Sequence, residues 1–337
     1  MTQKTKLVPV TREPALLPER DADKSPVLEC IDLGITFGGL KAVDSFNITI
    51  GRTEIAGLIG PNGAGKTTAF NVITGVYQPT NGRVAFLDET IIRNHPQGKM
   101  KKSYKGKHGD MYTAEYAPEE ALSGEALNAW REAEKARDAH AFSAHVLAPT
   151  PDEITKLGMA RTFQNIRLFG SETALENVMV GCQVRRKSQW WMPVFSLPSA
   201  RREEEEIREK AKGLIHRLAL DSYMDEKASS LPYGAQRRLE IARALATSPD
   251  FLLLDEPAAG MNPQESTELM RFIRHIRDEF DLTILLIEHD MKVVMGVCQY
   301  IWVLEYGQLI AEGDPDAIRN NPRVIEAYLG EDVSNHA

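Results

Sequence analysis

The sequence has few cysteines, no excess of basic residues and no long apolar run. Its three cysteines lie far apart, so they suggest neither a disulfide framework nor a CxxC metal site, and a reducing compartment is the simpler interpretation. A net charge of −8 argues against a nucleic-acid binder, which normally shows a basic domain or stripe. No stretch approaches the roughly 18 consecutive apolar residues of a membrane span. If the protein works at a membrane, another chain has to span it.

Two segments lack the pattern of a packed core. Residues 1–26 are polar and rich in proline, with no apolar stretch of the kind a signal peptide needs, and they predict a flexible tail. Residues 94–150 begin with a lysine- and glycine-rich stretch and continue as a helix from about Pro118 to His145, whose apolar stripe is mostly alanine. Such a stripe offers little area for an independent core, so this segment is predicted to be an insertion lying on the main domain.

Between these segments the pattern is that of an α/β domain. Residues 27–50 predict two short strands around a glycine turn, and continuous apolar runs at 251–254 and 283–287 are typical of parallel strands covered on both faces. The remaining predicted elements are strands at 54–59 and 82–87, helices at 66–74, 201–220 and 234–247, and a hairpin with strands at 301–304 and 309–311.

The strongest chemical signal is a phosphate-binding loop. Gly60-Pro-Asn-Gly-Ala-Gly-Lys-Thr67 follows a predicted strand and precedes a predicted helix, the context in which GxxxxGK[ST] is credible. Its glycines let backbone N–H groups turn towards phosphate oxygens, Lys66 supplies a charge to the β- and γ-phosphates, and the Thr67 hydroxyl can ligate Mg²⁺. The predicted ATP contacts here are Gly60, Asn62, Gly63, Ala64, Gly65, Lys66, Thr67 and Thr68.

A second signal is the acidic pair Asp255-Glu256 directly after the apolar run 251–254. Carboxylates at the carboxyl end of a strand emerge where ligands sit in open α/β sheets. Asp255 is predicted to hold Mg²⁺ through its hydration shell, and Glu256 to orient and deprotonate the attacking water. The pair gains its specificity from the phosphate loop upstream.

Together these motifs resemble the ATPases of ABC transporters. Arg161-Thr-Phe-Gln-Asn165 is similar to the loop that carries the family's glutamine, and Ile287-Glu-His-Asp290 to the one that carries its switch histidine. Pro257–Asn262 resembles the D-loop, and Phe37 sits where the family places a ring that stacks on adenine. The signature motif, which binds the ATP of a partner subunit, is matched by Leu231, Pro232, Tyr233, Gly234, Ala235 and Gln236.

The resemblance implies a fold and a set of site residues. The fold is a P-loop NTPase with a RecA-like α/β core and an antiparallel β subdomain at 27–163 and 247–330, and an inserted helical signature subdomain at 164–246. Gln164 is expected to contact ATP and Mg²⁺, alongside Thr67 and Asp255. Glu256, His289 and Lys66 are the expected catalytic residues.

The resemblance also implies partners. They are a second ABC ATPase, expected to be a different chain, two transmembrane permeases and, indirectly, a periplasmic substrate-binding protein. The expected location is peripheral, on the cytoplasmic face of the inner membrane.

The particular residues within and around these motifs most resemble those of LivG-type ATPases of branched-chain amino-acid uptake. Phe37–Val43, Ala160–Phe169, Ala258–Asn262 and Val324–Gly330 carry this likeness. The alternatives are the ATPase of another ABC system, for lipopolysaccharide export or for other amino-acid, amide or urea uptake, and an ABC-type ATPase outside transport. The single motif set and the absence of a heptad-patterned return arm argue against translation and DNA-repair factors.

Three positions depart from the family pattern. Pro232 replaces the signature serine and Tyr233 the following glycine, so a hydroxyl and a backbone N–H that could bind a γ-phosphate are missing. Asn262 replaces the D-loop aspartate, which removes a charge but keeps hydrogen-bonding capacity. The site that this signature completes is therefore expected to be the weaker of the two in a dimer.

Overall fold

The structure is a computed structural model that describes residues 26–94, 147–186 and 198–334. The predicted tail at 1–26 and the predicted helix at 118–145 lie outside these ranges, except for Pro26. The strands are β1 (Pro26–Phe37), β2 (Leu40–Gly51), β3 (Ile55–Ile59), β4 (Asn81–Phe86), β5 (Glu89–Asn94), β6 (Met159–Arg161), β7 (Phe251–Asp255), β8 (Thr283–Ile287), β9 (Tyr300–Glu305) and β10 (Gln308–Gly313).

The helices are α1 (Lys66–Ile73), α2 (Pro151–Leu157), α3 (Ala174–Cys182), α4 (Pro198–Arg217), α5 (Tyr233–Leu245), α6 (Pro263–Phe280), α7 (Met291–Val297), α8 (Pro315–Arg319) and α9 (Pro322–Ser334). Helices α3, α4 and α5 fall within the predicted helical subdomain, whose boundaries stay a prediction. No helix among the described residues is both long and apolar enough to cross a bilayer.

The strands form two sheets. The antiparallel sheet has the order β2-β1-β4-β5, and the second sheet has the order β10-β9-β3-β8-β7-β6. In the second sheet the five strands from β9 to β6 are parallel, and β10 pairs antiparallel with β9. Both the predicted parallel pair of apolar strands and the predicted hairpin are confirmed.

The parallel sheet is covered on both faces because its strands alternate their side chains. In β7, Phe251 and Leu253 pack with the antiparallel sheet and α1, whereas Leu252 and Leu254 pack with helices α3 to α6. Every residue of β3, β7 and β8 is buried. The uninterrupted apolar runs therefore mark a central sheet between two layers.

Two sequence-based details need correction. The first two strands are not short, since each contains 12 residues with register shifts along their pairing. The sequence analysis also predicted no strand for β5, which ends at Asn94, the first residue of the predicted insertion, and pairs with β4. Just beyond the undescribed residues the chain returns to this strand, where the backbones of Arg93 and Leu147 exchange hydrogen bonds of 3.0 and 2.9 Å.

Candidate nucleotide site

Four neighbouring parallel strands end at one edge of the sheet, and each leads into a predicted motif. The phosphate loop follows β3, the histidine loop follows β8, the acidic pair closes β7, and the glutamine loop follows β6. These strands are consecutive in the sheet, so residues from distant parts of the chain come together at its carboxyl edge. Open α/β sheets bind ligands at this edge.

The phosphate loop turns on glycines that other residues could not replace. Gly60 has a φ of 150° and Gly65 a φ of 101°, and a Cβ at either position would collide with a backbone carbonyl, that of Leu304 or Ala42 respectively. Gly65 is also the N-cap of α1, which has neither a side-chain cap nor an acidic residue in its first turn. The helix N-terminus therefore keeps backbone N–H groups for an anion.

Lys66 lies inside this loop. Its Nζ donates to the carbonyl oxygens of Gly60 at 2.6 Å and Pro61 at 2.8 Å, and the residue is only 7% exposed. The ammonium group is thus held within the loop by two of its backbone carbonyls. The neighbouring Thr67 is exposed, in keeping with a hydroxyl that faces a ligand.

Asp255 forms an ion pair that the sequence did not predict. Its Oδ2 accepts from Arg161 Nη2 at 2.7 Å, and both side chains are almost fully buried. The other arm of the Arg161 guanidinium donates to Asn71 Oδ1 at 2.7 Å and Thr74 Oγ1 at 3.2 Å. Arg161 therefore ties the carboxylate to α1, which carries the phosphate loop. The sequence offered Arg161 only as a flank of the glutamine motif.

The carboxylate of Glu256 lies next to two other predicted site residues, Gln164 and His289. Its Oε2 accepts from Gln164 Nε2 at 2.7 Å and lies 3.9 Å from His289 Nδ1. His289 is more exposed, with 59% of its side chain accessible against 17% for Glu256. Three motifs from three strand ends therefore meet at one carboxylate.

The backbone at Glu256 is strained. Its φ of 44° is left-handed, a conformation that costs a non-glycine residue about 1–3 kcal/mol unless the surroundings hold it. Its N–H donates to the carbonyl of Ile287 at 2.9 Å, which ties the turn to the end of β8. Strain of this kind concentrates at functional sites.

Glu288 is a further residue that the sequence analysis did not single out. It is fully buried, and its carboxylate accepts from the backbone N–H groups of Ala258 at 2.7 Å and His289 at 3.2 Å. Burial raises the pKa of the Glu288 carboxyl, against the opposing effect of these hydrogen bonds. This side chain joins the segment after Glu256 to the histidine loop.

The predicted adenine-stacking ring is open on one side. Phe37 is 46% exposed and meets Tyr77 edge-on, with ring centroids 5.4 Å apart and planes at 77°. An edge-to-face neighbour supports one side of a ring and leaves its accessible part for another planar group. Phe37 occurs at the turn between β1 and β2, and β2 runs past the phosphate loop at Ala42.

The signature residues lie at the start of α5. Pro232 is its N-cap without a side-chain hydrogen bond, and Gln236 bonds back to the Leu231 carbonyl at 2.8 Å. The Tyr233 hydroxyl donates to the carbonyl of Ala259 in the predicted D-loop at 2.8 Å, while its side chain stays partly exposed. Gly234 and Ala235 follow in the first turn. Because Pro232 makes no side-chain cap, the N-terminus of α5 is uncapped, like that of α1. The replacement for the second signature residue thus anchors the D-loop.

Asn262 has a structural role in the free chain. Its Oδ1 accepts from the backbone of Gln264 and Glu265, both at 3.0 Å, and caps α6 in a capping box with Glu265. Aspartate could make the same cap, so the departure from the family pattern costs the helix little.

The predicted metal ligands suit a magnesium ion. Thr67, Asp255 and Gln164 offer a hydroxyl, a carboxylate and an amide, and Mg²⁺ takes few protein oxygens together with phosphate and water. Within the described ranges no group of three or more His, Cys, Asp and Glu side chains is arranged to hold a metal.

Comparisons with known proteins point the same way. A family model described as ABC transporter matches residues 43–147 and 132–259, and one described as branched-chain amino acid ATP-binding cassette transporter matches residues 308–334. The chain is 39% identical over 306 residues to the high-affinity branched-chain amino acid transport ATP-binding protein LivG of Escherichia coli, covering 91% of this chain and 98% of that one.

Other relatives and solved structures agree with these matches. The chain is 38% identical to the corresponding protein BraF of Pseudomonas aeruginosa, with the same coverage of both chains. A crystal structure of the ADP conformation of an ATP-binding cassette of an ABC transporter superposes with a TM-score of 0.66 at 26% identity. It covers 91% of this chain and all of the other.

Proposed function

This chain belongs to the ABC transporter family as an ATP-binding subunit, and from that premise we propose that it powers the import of branched-chain amino acids. The observation that carries the catalytic part is the meeting of Gln164, Glu256 and His289 beside the phosphate loop. The substrate is inferred from the relatives' names and from the family model that matches residues 308–334.

ATP is proposed to bind along the carboxyl edge of the parallel sheet. The N–H groups of the phosphate loop and the N-terminus of α1 receive the phosphates, and Lys66 turns from its two carbonyl partners to the β- and γ-oxygens. Phe37 stacks on the adenine. Thr67, Asp255 and Gln164 would hold Mg²⁺, which supplies neutralisation of the phosphate charge.

Hydrolysis is proposed to depend on the carboxylate of Glu256. It accepts a proton from the attacking water, and its contacts with Gln164 and His289 hold it in position. Phosphoryl transfer leaves charge on the γ-phosphate oxygens, so Lys66 and His289 contribute by electrostatic stabilisation. Arg161 keeps the Asp255 carboxylate in register with α1.

The working unit is proposed to be a head-to-tail dimer with a second ABC ATPase. The uncapped N-terminus of α5 is suited to the phosphate of the partner's ATP. Pro232 in place of serine supports a partner that is a different chain, since one of two unlike sites can then remain strong. Two permeases and an extracytoplasmic binding protein complete the assembly, with this chain at the cytoplasmic face of the inner membrane.

Uptake into vesicles tests the proposed substrate. The chain is reconstituted with its partner ATPase and permeases, the binding protein is added outside, and entry of labelled leucine, isoleucine and valine is measured with ATP inside the lumen that the ATPases face. We expect ATP-dependent movement of these three and little of glutamate or urea. Transport of glutamate or urea alone, with ATP hydrolysis intact, would rule out the branched-chain assignment.

Replacing Pro232 by serine is expected to raise turnover at the partner's ATP site. Serine restores a hydroxyl and a backbone N–H, and one hydrogen bond to a charged group contributes about 1.5–3 kcal/mol, which corresponds to about tenfold or more in rate. The rate is measured in the heterodimer with Glu256→Gln silencing the other site.

Pro232→Ala is the matched control because it restores the N–H without the hydroxyl. A gain with serine alone would assign the effect to the hydroxyl, and an equal gain with both to the backbone. No gain with either would show that the motif has adapted to proline and that the α5 N-terminus suffices.

A further inference from the structure

A buried guanidinium connects the signature helix to the hydrolysis site. Arg237 lies in the second turn of α5 and is fully buried. It donates to the carbonyls of Phe163 at 2.8 Å, Asp255 at 3.0 Å and Glu256 at 2.6 Å. Its remaining bonds go to the Pro257 carbonyl at 3.1 Å and Glu240 at 2.6 Å. A guanidinium has five N–H donors, so all of them are accounted for.

Glu240 completes the arrangement one turn further along α5. It is 2% exposed, and one oxygen pairs with Arg237. The other oxygen accepts from the backbone N–H groups of Phe163 and Arg167, both at 3.4 Å. The pair therefore holds both sides of the loop that carries Gln164, as well as the segment that carries Glu256.

Arg237 bonds to the backbone of Glu256, the residue whose left-handed conformation is strained. Glu256 has a left-handed backbone conformation directly after β7. Arg237 donates hydrogen bonds to the Glu256 carbonyl and to the carbonyls of the residues on either side, Asp255 and Pro257. Burying a charge requires full pairing, so a site that offers four carbonyls and one carboxylate in fixed positions is geometrically demanding. Lysine could not meet these demands, because it has three donors on one point and no fork.

We propose that Arg237, with Glu240, is a positioning residue that sets Glu256 and Gln164 relative to the signature helix. Movement of α5, when its N-terminus engages the partner's ATP, then reaches Glu256 through one rigid group. Binding of ATP at the partner's site would in this way change the position of Glu256, the carboxylate that serves the ATP bound to this chain. The inference rests on the proposed ATPase function and extends it to how that site is regulated.

The test compares Arg237→Lys with the double variant Arg237→Leu/Glu240→Leu in the complete complex. Lysine keeps the charge opposite Glu240, and the double variant removes both charges so that neither is left buried without its partner. Arg217→Lys is the matched control, since Arg217 on α4 forms a partly exposed ion pair with Glu279 at 3.7 Å. Circular dichroism and thermal melting establish that each variant is folded.

We expect kcat for ATP hydrolysis to fall by about tenfold or more in both Arg237 variants, with KM for ATP changed by less than about twofold. The nucleotide contacts proposed at Lys66 and Phe37 do not involve Arg237, so binding should survive. If Arg237→Lys fails to fold, the double variant alone decides.

A folded double variant with wild-type kcat would overturn the inference, because Arg237 would then serve packing only. An inactive wild-type complex has a different meaning. It would contradict the proposed function itself, and the inference would fall with it.

Discussion

Replacing Glu256 by glutamine is expected to stop ATP hydrolysis while MgATP still binds. The amide has the same shape and can still contact Gln164, but it cannot take a proton from water. Loss of general-base catalysis lowers rates by about 10²–10⁴-fold. Binding should be preserved because the phosphate loop and Phe37 are untouched. Phosphate release and ATP titration by calorimetry give the two quantities.

The same variant should accumulate as an ATP-bound dimer, which size-exclusion chromatography detects when the partner ATPase is present. Glu326→Gln is the control, since this carboxylate lies on α9 and pairs only with Arg323 among the contacts described. Hydrolysis by Glu256→Gln at near the wild-type rate would show that another group acts as the base.

Replacing Lys66 by alanine is expected to weaken ATP binding before any effect on chemistry. Its ammonium group is the one cation of the phosphate loop itself, and hydrogen bonds to charged groups contribute about 1.5–3 kcal/mol, so affinity should fall about 10- to 150-fold. The change also removes the bonds to the Gly60 and Pro61 carbonyls that hold the loop together. Calorimetry with ATP and Mg²⁺ measures the loss.

Lys156→Ala is the control for this variant. Lys156 is exposed on α2, pairs with Asp152 one turn away and belongs to none of the predicted motifs. Unchanged affinity in Lys66→Ala would mean that the phosphates bind elsewhere.

Much of the site follows from sequence because parallel strands end at a shared edge. The apolar runs at β3, β7 and β8 are unambiguous, and a motif placed directly after each of them must lie at that edge. The closeness of Glu256 and His289 was therefore foreseeable, whereas Gln164 follows β6, which was not predicted, and was placed by the family resemblance alone. Their roles in catalysis stay predictions.

The residues that sequence reasoning missed act through long-range contacts. Arg161 reaches Asp255 across 94 positions, and Arg237 bonds to backbone carbonyls that carry no side-chain pattern. The role of Glu288 could not be predicted from sequence either, because its hydrogen-bond partners are backbone N–H groups. No spacing rule links such positions. The signal for Arg237 and Glu240 was a charged pair on the buried side of a helix, which becomes visible only when that side is known.

The prediction of secondary structure failed at β5, where the hydrophobic pattern is weak and the strand is defined by its hydrogen-bonded neighbours. Strand β5 has charged or polar residues at Glu89, Arg93 and Asn94 around a short apolar centre, and the sequence analysis assigned no strand to it. It exists because β4 and the returning backbone at Leu147 satisfy its hydrogen bonds. Pairing with these neighbours fixes an element whose short apolar centre alone left it unassigned.

Release of labelled phosphate from γ-labelled ATP in a single turnover tests most directly whether the four strand ends form one MgATP hydrolysis site. The chain is assembled with its partner ATPase, whose own base is removed so that only this site can turn over. We expect Mg²⁺-dependent release that drops by about 10²-fold or more on adding Glu256→Gln. Equal release with and without Glu256→Gln, or release that persists after Lys66→Ala at low ATP, would contradict it.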